Sequence, residues 1–287
     1  MTSTAAAVDF SISVVIPCFN RVNKLYRALK SVELQTRKPE QIIVVDDGSE
    51  KSLQNLLSPE FPKVEWLAQE NKGVSSARNA GVEFATGDWI ALLDSDDEWV
   101  PEKLESQVSF HQKNQDLLAS HTDEVWIRNG NQVIPPQYLN KSSKALFTRS
   151  LKHCLICPSS AFLHHSLFER IGYFDETLSV CEDYDFWLRL LAEERIECLH
   201  EKLTIKHGGH ADQLSATTWG MDRFRIKSLE KMLGHGKLST LQNKAILETL
   251  VEKSSILIVG SKKRKKHDQV IKYLSLIHIS EPTRPLY

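Results

Sequence analysis

The sequence predicts an α/β fold in which a mainly parallel sheet is flanked by helices, with a small helical region at the C-terminal end. Two short runs, "ISVVI" (12–16) and "IIVV" (42–45), are apolar apart from Ser13 and rich in β-branched residues, as strands covered on both faces are. Segments with helical spacing of apolar residues lie between such runs, and this alternation favours parallel strands joined by helices. Beyond Gly208-Gly209 only helical patterns are found.

The elements of the N-terminal half follow in chain order. The first strand is expected to end at Pro17, and the helix after it (22–35) carries apolar residues at Val22, Leu25 and Leu29. The other elements predicted up to residue 114 are strands at 42–45, 64–68 and 88–93, a helix that follows a glycine-containing turn within 71–84, and a helix at 101–114.

The second half is less regular, with strands expected only at 124–128 and 159–163. "CEDYDFWLRLLAE" (181–193) predicts a helix with an acidic N-terminus. Further helices are predicted at 219–233, 238–258 and 265–275. We divide the chain into a flexible N-terminus (1–10), an α/β domain (11–215), a helical appendage (216–274) and a tail (275–287).

The tail has an unusual composition. The stretch "LSLIHISEPTRPLY" contains two prolines and is expected not to continue a helix from Lys272. It resembles the translated read-through of a sequencing adapter. We therefore interpret 275–287 as a non-native tail and leave it out of the fold prediction.

The composition is that of an ordinary globular protein, with 287 residues, 41% hydrophobic and 25% charged. A net charge of −1 argues against a molecule that coats nucleic acid. The apolar runs are too short to cross a bilayer, and the N-terminus lacks the pattern of a secretory signal. Together with five irregularly spaced cysteines, these features predict a cytoplasmic protein with reduced thiols.

An acidic cluster follows the predicted strand at 88–93. The stretch "LLDSDDEW" (92–99) places four carboxylates within five positions. Their mutual repulsion predicts that a positive charge lies nearby. A solvated loop is one interpretation. A calcium-binding EF-hand loop is disfavoured because Trp99 stands where glycine is required. If the segment is extended, Asp94 and Asp96 lie on one side of it and can share a hard divalent cation.

Five motifs in a fixed order make that metal site specific. They are "VVIPCFNR" (14–21), "QIIVVDDGS" (41–49), "NKGVSSARNAG" (71–81), "GDWIALLDSDDEWVPEKL" (87–104) and "CEDYDFWLRL" (181–190). This set closely resembles the family 2 glycosyltransferases, which have the GT-A fold, a Rossmann-like α/β architecture. The resemblance covers roughly residues 11 to 210. It implies transfer of a sugar from a nucleotide-diphosphate donor with inversion at the anomeric carbon.

The resemblance also implies a nucleotide site, for which the matching residues are Pro17, Phe19, Asn20, Asp46, Asp47, Arg78, Asn79 and Asp94. A carboxylate such as that of Asp47 can accept the N–H of a uracil-like base, and Phe19 offers a ring for stacking. Arg78 can pair with the diphosphate. Taken alone, Asp46-Asp47-Gly48 predicts only a turn, and Arg78 only a surface residue.

Metal and catalytic roles are implied for further acidic residues. Asp96 matches the direct ligand of Mn²⁺ or Mg²⁺, and Asp94 matches a carboxylate that faces the ribose or reaches the metal through water. Asp183, with Glu182 beside it, matches the general base, although acidic residues are common at any helix N-terminus. Apart from the resemblance, His210, in "HGGH" (207–210), is a candidate metal ligand or diphosphate contact, and surface exposure is the alternative.

The expected partners are a UDP-sugar donor and a glycan, lipid-linked or protein acceptor in surface glycan or polysaccharide biosynthesis. The basic run Lys262–Lys266 is either a solvated helix end or a contact to the inner face of the cell membrane. The chain lacks the Q-x-x-R-W motif and the membrane helices of processive relatives, so we expect transfer of single sugars.

Two other function classes remain open. A nucleotidyltransferase would share the acidic metal site, but it should carry a glycine-rich basic loop where this chain has "PCFNR". A non-catalytic nucleotide-sugar-binding protein of the same fold would be expected to have lost Asp94, Asp96 or Asp183. The Cys154-x-x-Cys157 pair has no second pair near it, and we interpret both residues as buried thiols rather than a zinc site.

Overall fold

The computed structural model describes residues 10–210, 213 and 218–280, and the side chains of 279 and 280 are not part of this description. Within this range it contains a nine-stranded sheet. The strands are β1 (Ile12–Cys18), β2 (Gln41–Asp46), β3 (Val64–Ala68), β4 (Trp89–Leu92), β5 (Glu98–Trp99), β6 (Ala119–Arg128), β7 (Asn131–Val133), β8 (Ala161–His164) and β9 (Glu197–Gly208). Residues 1–9 of the predicted flexible N-terminus and residues 281–287 of the predicted tail lie outside the described residues.

The α-helices are α1 (Val22–Glu33), α2 (Leu53–Leu57), α3 (Val74–Phe84), α4 (Lys103–Lys113), α5 (Leu146–Lys152), α6 (Ser166–Ile171), α7 (Glu182–Glu193), α8 (Asp222–Leu233), α9 (Thr240–Lys263) and α10 (His267–Ser280). The predicted fold class is therefore confirmed: a sheet flanked by helices, with a helical C-terminal region. The short helices α2, α5 and α6 were not predicted, since segments of five to seven residues hold too few turns for a periodic signal.

The strands are ordered β3-β2-β1-β4-β8-β6-β9-β5, with β7 paired to β6. The pairs β3-β2, β2-β1, β1-β4 and β6-β9 are parallel, and the remaining pairs are antiparallel. The parallel arrangement that the apolar runs predict is thus continuous only across the first four strands. It brings the carboxyl ends of β1, β2 and β4 to one edge of the sheet.

Alternation along β1 builds the two hydrophobic layers. Val15 packs with Ala77 of α3 on one face, and Val14 and Ile16 pack with Leu25 of α1 on the other. All of these side chains are buried. Since both faces of the strand are covered, its sequence does not alternate between apolar and polar residues, and the one buried polar side chain, Ser13, donates a 2.7 Å hydrogen bond to Gln41.

The sequence predicted that strand β1 ends at Pro17. In the structure the strand continues to Cys18. Pairing of β1 with β4 stops at Val15, which faces Leu92. Pro17 lies two residues after Val15, so its backbone nitrogen also faces the β4 side of the strand, at a point where β4 has already ended. The missing N–H of proline therefore breaks no pairing there.

The C-terminal helices pack against α7. Ile226 and Leu229 of α8 and Leu250 of α9 share a hydrophobic cluster with Tyr184 and Leu188 of α7. The expectation that no helix continues from Lys272 is wrong, because α10 runs to Ser280 and buries Tyr273 and Leu276 in the same cluster. The non-native origin of 275–287 stays a prediction.

Candidate functional site

Two adjoining cavities lie at the carboxyl ends of β1, β2 and β4, the expected place for a ligand in such a sheet. The first, of about 450 Å³, is lined by Pro17, Cys18, Phe19, Asn20, Arg21, Asp47, Asn71, Gly73, Val74, Ala77 and Ser95. The second, of about 230 Å³, is lined by Pro17, Arg21, Val74, Arg78, Asp94, Ser95, Asp96, Asp97, Val180, Cys181, Glu182, Asp183, Lys206, His207, Gln213 and Met221. They share Pro17, Arg21, Val74 and Ser95, and together we call them the cleft.

Asp47 organises one wall of the first cavity. One carboxylate oxygen accepts hydrogen bonds from the Gln69 side chain at 2.7 Å and from the Lys72 amide at 2.9 Å. The other oxygen accepts from the Gly73 amide at 2.9 Å. Gly73 has a φ of 92°, which suits glycine, and it directly precedes α3. Asp47 therefore fixes the loop through which the chain enters α3.

The loop after β1 also lines the first cavity. Asn20 has a φ of 54°, and its side chain accepts a hydrogen bond from the Glu50 amide at 2.9 Å. Its own amide donates to Ser49 Oγ at 2.8 Å, so the loops after β1 and β2 hold each other in place. Phe19 leaves 44% of its surface exposed beside the cavity, where a ring face is available for stacking.

Asp46 and Asn79, by contrast, do not line either cavity. The Asp46 carboxylate accepts from the amides of Ser49 and Leu53, at 2.9 and 3.1 Å, and so forms the turn into α2. Asn79 is buried in α3 and exchanges two 2.9 Å hydrogen bonds with the backbone of Phe174. Both residues hold loops that surround the cleft.

Arg78 bridges two acidic residues of the second cavity. Its guanidinium lies 2.6 Å from Asp94 and 2.7 Å from Glu182, and its side chain is only 4% exposed. It also packs over the Phe174 ring at 5.2 Å. Burial raises the pKa of Glu182, the charge of Asp183 adds to the rise, and Arg78 opposes it. Arg78 thus ties α3 to both the β4 end and the start of α7.

Asp94 and Asp96 both reach the second cavity, but not for the reason the sequence suggests. The Asp97 amide donates to the Asp94 carbonyl at 3.0 Å, so residues 94–97 form a turn instead of an extended strand. The Asp96 carboxylate lies 3.1 Å from the Arg21 guanidinium and 2.9 Å from His210 Nε2. His210, a candidate from sequence, is therefore next to the acidic turn.

His207 has other contacts. Its Nε2 lies 2.5 Å from Glu98, and its amide donates to Asp97 at 2.9 Å. Burial lowers the pKa of its imidazole.

Asp97 connects this turn to the strands beneath it. Its buried carboxylate also accepts from the Ser159 hydroxyl at 2.6 Å and lies 3.7 Å from the Cys157 thiol. Burial and then the charges of Asp96 and Asp94 raise its pKa to about 8. Asp94, Asp97 and Cys157 also present ligand atoms within 4.8 Å of one another, a spacing at which a metal ion can be held.

Asp183 lines the second cavity from the first turn of α7. One oxygen accepts from the Tyr184 amide at 2.7 Å, and the other accepts from the Cys154 thiol at 3.2 Å. Cys154 and Cys157 are both free thiols, as expected, but each faces an acidic residue of the cleft. Asp47, Asp96 and Asp183 therefore line one continuous cleft.

Comparison with known proteins identifies the family. The family model for glycosyl transferase family 2 matches residues 13–172. The chain belongs to glycosyltransferase family 2.

The chain is similar in sequence to several curated proteins. An uncharacterized glycosyltransferase of Rickettsia prowazekii is 32% identical over 72% of this chain and 66% of its own length. YwdF of Bacillus subtilis, also an uncharacterized glycosyltransferase, is 30% identical over 83% of this chain and 89% of its own. The UDP-Glc:α-D-GlcNAc-diphosphoundecaprenol β-1,3-glucosyltransferase WfgD of Escherichia coli is 29% identical over 67% of this chain and 74% of its own. The chain spans 28% to 66% of the length of the first five relatives, all from Rickettsia.

The solved structures confirm the GT-A fold. S. aureus TarS superimposes with a TM-score of 0.71 at 17% identity, over 96% of this chain and 50% of TarS. A structure of TarS residues 1–349 with UDP-GlcNAc gives a TM-score of 0.63 at 14% identity, over 96% of this chain and 93% of the other.

Two cations of this glycosyltransferase cleft were not assigned a role from the sequence. Arg21 lines both cavities and ends the motif "VVIPCFNR", so its position after β1 was the available signal. Lys206 is half-buried and lines the second cavity. The nearby Cys157 sulfur and the carboxylates of Glu124 and Asp97 raise the pKa of its ammonium group. Lys206 lies in the unpredicted strand β9, whose many polar residues hide the strand pattern. Among the described helices, none is long and apolar enough to span a membrane.

Proposed function

We propose that this glycosyltransferase moves a single sugar from a nucleotide-diphosphate sugar, with UDP as the nucleotide, onto an acceptor hydroxyl with inversion, in surface glycan or polysaccharide biosynthesis. The observation that supports it most is the continuous cleft with Asp47 in one cavity and Asp96 and Asp183 in the other. A donor needs adjacent sites for its nucleotide, its diphosphate and its sugar, in that order. The proposal assigns these to the first cavity, the shared wall and the second cavity.

The chemistry of the first cavity suits a nucleotide. Phe19 offers an exposed ring face for a base, and Asp47 stands close enough to the cavity to accept a base N–H. Arg21, which lines both cavities, is assigned to the diphosphate, and Arg78, which is paired with Asp94 and Glu182, is assigned to holding those two carboxylates. The names of WfgD, which specifies a UDP-glucose donor, and of the TarS complexes with UDP-GlcNAc and UDP agree with this choice.

The residues present fit a Mn²⁺ or Mg²⁺ ion. Asp94 and Asp96 offer carboxylate oxygens, which hard divalent ions prefer, and His210 Nε2 lies beside Asp96. Burial raises the pKa of Asp97, and the charges of Asp96 and Asp94 add to the rise, so a cation beside this turn would favour the ionised carboxylates. When bound, the ion would neutralise charge on the leaving diphosphate. Asp96 and Asp94 would hold it.

Asp183 is assigned as the general base that takes the acceptor proton. Its carboxylate lines the second cavity together with the acidic turn, so an acceptor hydroxyl bound there could give up its proton to it. Glu182 lies one residue earlier but is committed to Arg78, so we assign it to positioning the base and the acidic turn. A hydrogen bond from Cys154 helps to orient Asp183.

The metal assignment is tested with Asp96→Ala. UDP binding, measured by calorimetry, should be strengthened by Mn²⁺ in the wild-type protein and unaffected by Mn²⁺ in the variant. Asp88→Ala is the matched control, because Asp88 precedes the same strand at its opposite end. An Asp96→Ala protein that keeps the full Mn²⁺ effect would remove Asp96 from the metal site.

The base assignment is tested with Asp183→Asn, which preserves size and removes the proton acceptor. Donor binding should stay within about threefold of wild type, while turnover should fall by at least about 100-fold, as expected for loss of general base catalysis. A variant with wild-type turnover would show that Asp183 is not the base.

We further propose that the enzyme works in the cytoplasm at the inner face of the cell membrane, on a lipid-linked acceptor. The basic run Lys262–Lys266 supports this, since Arg264 and Lys266 lie 4.5 and 5.2 Å from the ring of Trp219, which is 45% exposed. Cations beside an exposed indole are typical of surfaces that contact anionic membranes. The name of WfgD also specifies a lipid-diphosphate acceptor.

Sedimentation with vesicles tests the membrane contact. The protein should bind vesicles containing phosphatidylglycerol and not vesicles of phosphatidylcholine alone. Replacing Lys262, Lys263 and Lys266 by Glu should abolish binding, whereas the same exchange at Lys24, Lys63 and Lys144 should not. Equal binding to both kinds of vesicle would refute an electrostatic contact.

A further inference from the structure

A second cluster of metal-ligand side chains lies outside the cleft, where β6 and β9 run side by side. Asp123 on β6 and Cys198 and His200 on β9 bring a carboxylate oxygen, a sulfur and an imidazole nitrogen within 4.8 Å of one another. His200 Nδ1 lies 3.5 Å from the Asp123 carboxylate. None of the three lines the cleft, and sugar transfer assigns them no role.

The local geometry of the two strands produces this cluster. Cys198 and His200 are two residues apart in β9, so their side chains start from the same face. The register of β6 and β9 then jumps from Thr122–Leu199 to Asp123–Lys202, which leaves His200 opposite no residue of β6. Such an irregularity re-aims side chains, and bulges are frequent at functional positions. Here it sets the His200 imidazole beside Asp123.

The three side chains differ in exposure in the way a surface metal site requires. Cys198 is 8% exposed, while His200 is largely open to solvent and so can be reached by an ion. Burial, with the charge of Asp123 next in importance, raises the pKa of the Cys198 thiol to about 12. A cation bound by the sulfur would reverse this effect, because it compensates both the thiolate and the carboxylate.

We propose that Asp123, Cys198 and His200 bind one Zn²⁺ ion, with water in the fourth position. Thiolate and imidazole ligands select zinc over Mg²⁺ and Mn²⁺, which prefer oxygen. Binding forms the bond from sulfur to zinc and releases the thiol proton to solvent, while His200 binds in its neutral form through Nδ1. The ion would join β6 to β9 next to the bulge, a few residues before Lys206 and His207 enter the cleft.

Cobalt(II) is the probe for this site, since a bond between cobalt and a thiolate gives a charge-transfer absorption band in the near ultraviolet. The full chain, reduced and freed of metal, should develop this band on titration with Co²⁺ until the band saturates, and should lose the band when Zn²⁺ is added. Cys198→Ser should abolish the band. His200→Asn and Asp123→Asn should weaken binding by more than about 100-fold, beyond what loss of an outer partner costs.

Two controls make the result specific. His235→Asn should change nothing: His235 lies 3.4 Å from Glu193, an imidazole–carboxylate pair like that of His200, but has no place in the three-residue cluster. Cys157→Ser should keep the band, because Cys157 belongs to the separate cluster with Asp94 and Asp97. Circular dichroism confirms that each variant is folded.

A wild-type protein with no band at saturating Co²⁺ would overturn the proposal. So would a band that survives in Cys198→Ser and disappears in Cys157→Ser, because the metal would then lie in the cleft. As a second readout, Zn²⁺ should raise the Tm of the wild-type protein and of His235→Asn by the same amount, and should raise the Tm of His200→Asn by clearly less.

Discussion

Replacing Arg78 by methionine tests whether the two carboxylates that it bridges depend on it. Arg78 and Glu182 are 2.7 Å apart, with side chains 4% and 8% exposed, so solvent does little to screen either charge. Methionine fills a similar volume and keeps contact with the Phe174 ring, but it removes the cation. Glu182 is then left as a buried charge without its partner, while Asp94, 25% exposed, can still be hydrated.

The expected loss follows from that burial. Removing one partner of a buried ion pair costs about 3–5 kcal/mol, mostly because the other charge stays buried. Burial already raises the pKa of Glu182, so protonation of Glu182 stabilises the folded state. The stability gained from protonated Glu182 is fully present below the pKa that Glu182 has in the unfolded chain. It is lost as the pH rises through the pKa that Glu182 has in the folded protein. Without Arg78 the folded pKa is higher still, and the loss should therefore shrink at low pH.

Urea unfolding followed by tryptophan fluorescence measures the effect. At about pH 8, Arg78→Met should lower the free energy of unfolding by about 3–5 kcal/mol, and by clearly less at about pH 5. Adding Glu182→Gln should recover much of the loss. Lys152→Met is the control: its partner Glu252 is 53% exposed, and the cost should be below about 1 kcal/mol. A loss below about 1 kcal/mol for Arg78→Met, or no recovery in the double variant, would refute the reasoning.

Three further predictions concern the scaffold. A Cβ at Gly81 would lie 2.4 Å from Val15 Cγ1, so Gly81→Ala should cost about 1–3 kcal/mol in urea unfolding, and Gly234→Ala, where the nearest atom is 3.5 Å away, should cost little. Burial lowers the pKa of His111 from 6.5 to about 4, so the unfolded chain binds the proton at a higher pH than the folded chain does. As the pH falls from 6.5 to about 4, the free energy of unfolding should therefore decrease by about 3 kcal/mol. His111→Gln should flatten this part of the plot of unfolding free energy against pH. Asn79→Ala should destabilise the fold by about 1–3 kcal/mol, since it leaves the Phe174 backbone unpaired, while UDP affinity measured by calorimetry should change less than about threefold.

The sequence determined the elements whose signal is local. β3 (Val64–Ala68) has its predicted bounds, and α7 (Glu182–Glu193) differs from its predicted range by one residue, because apolar spacing and flanking polar residues act over a few positions. The five ordered motifs were enough to predict the family, because each is a contiguous stretch that can be recognised without knowing the tertiary structure. β9 (Glu197–Gly208) escaped prediction because its burial depends on neighbours distant in sequence, and its own residues are largely polar.

Only the tertiary structure decided which polar residues meet in the cleft. Asp46 and Asp47 are adjacent in sequence, yet one holds the turn into α2 and the other lines the first cavity. Asp94 and Asp96 reach the cleft through a turn, and Arg21 reaches Asp96 from a loop 75 residues earlier in the chain. The physical reason is that a charged side chain is stabilised by partners brought to it by packing, and a linear pattern carries no record of which distant loop supplies them.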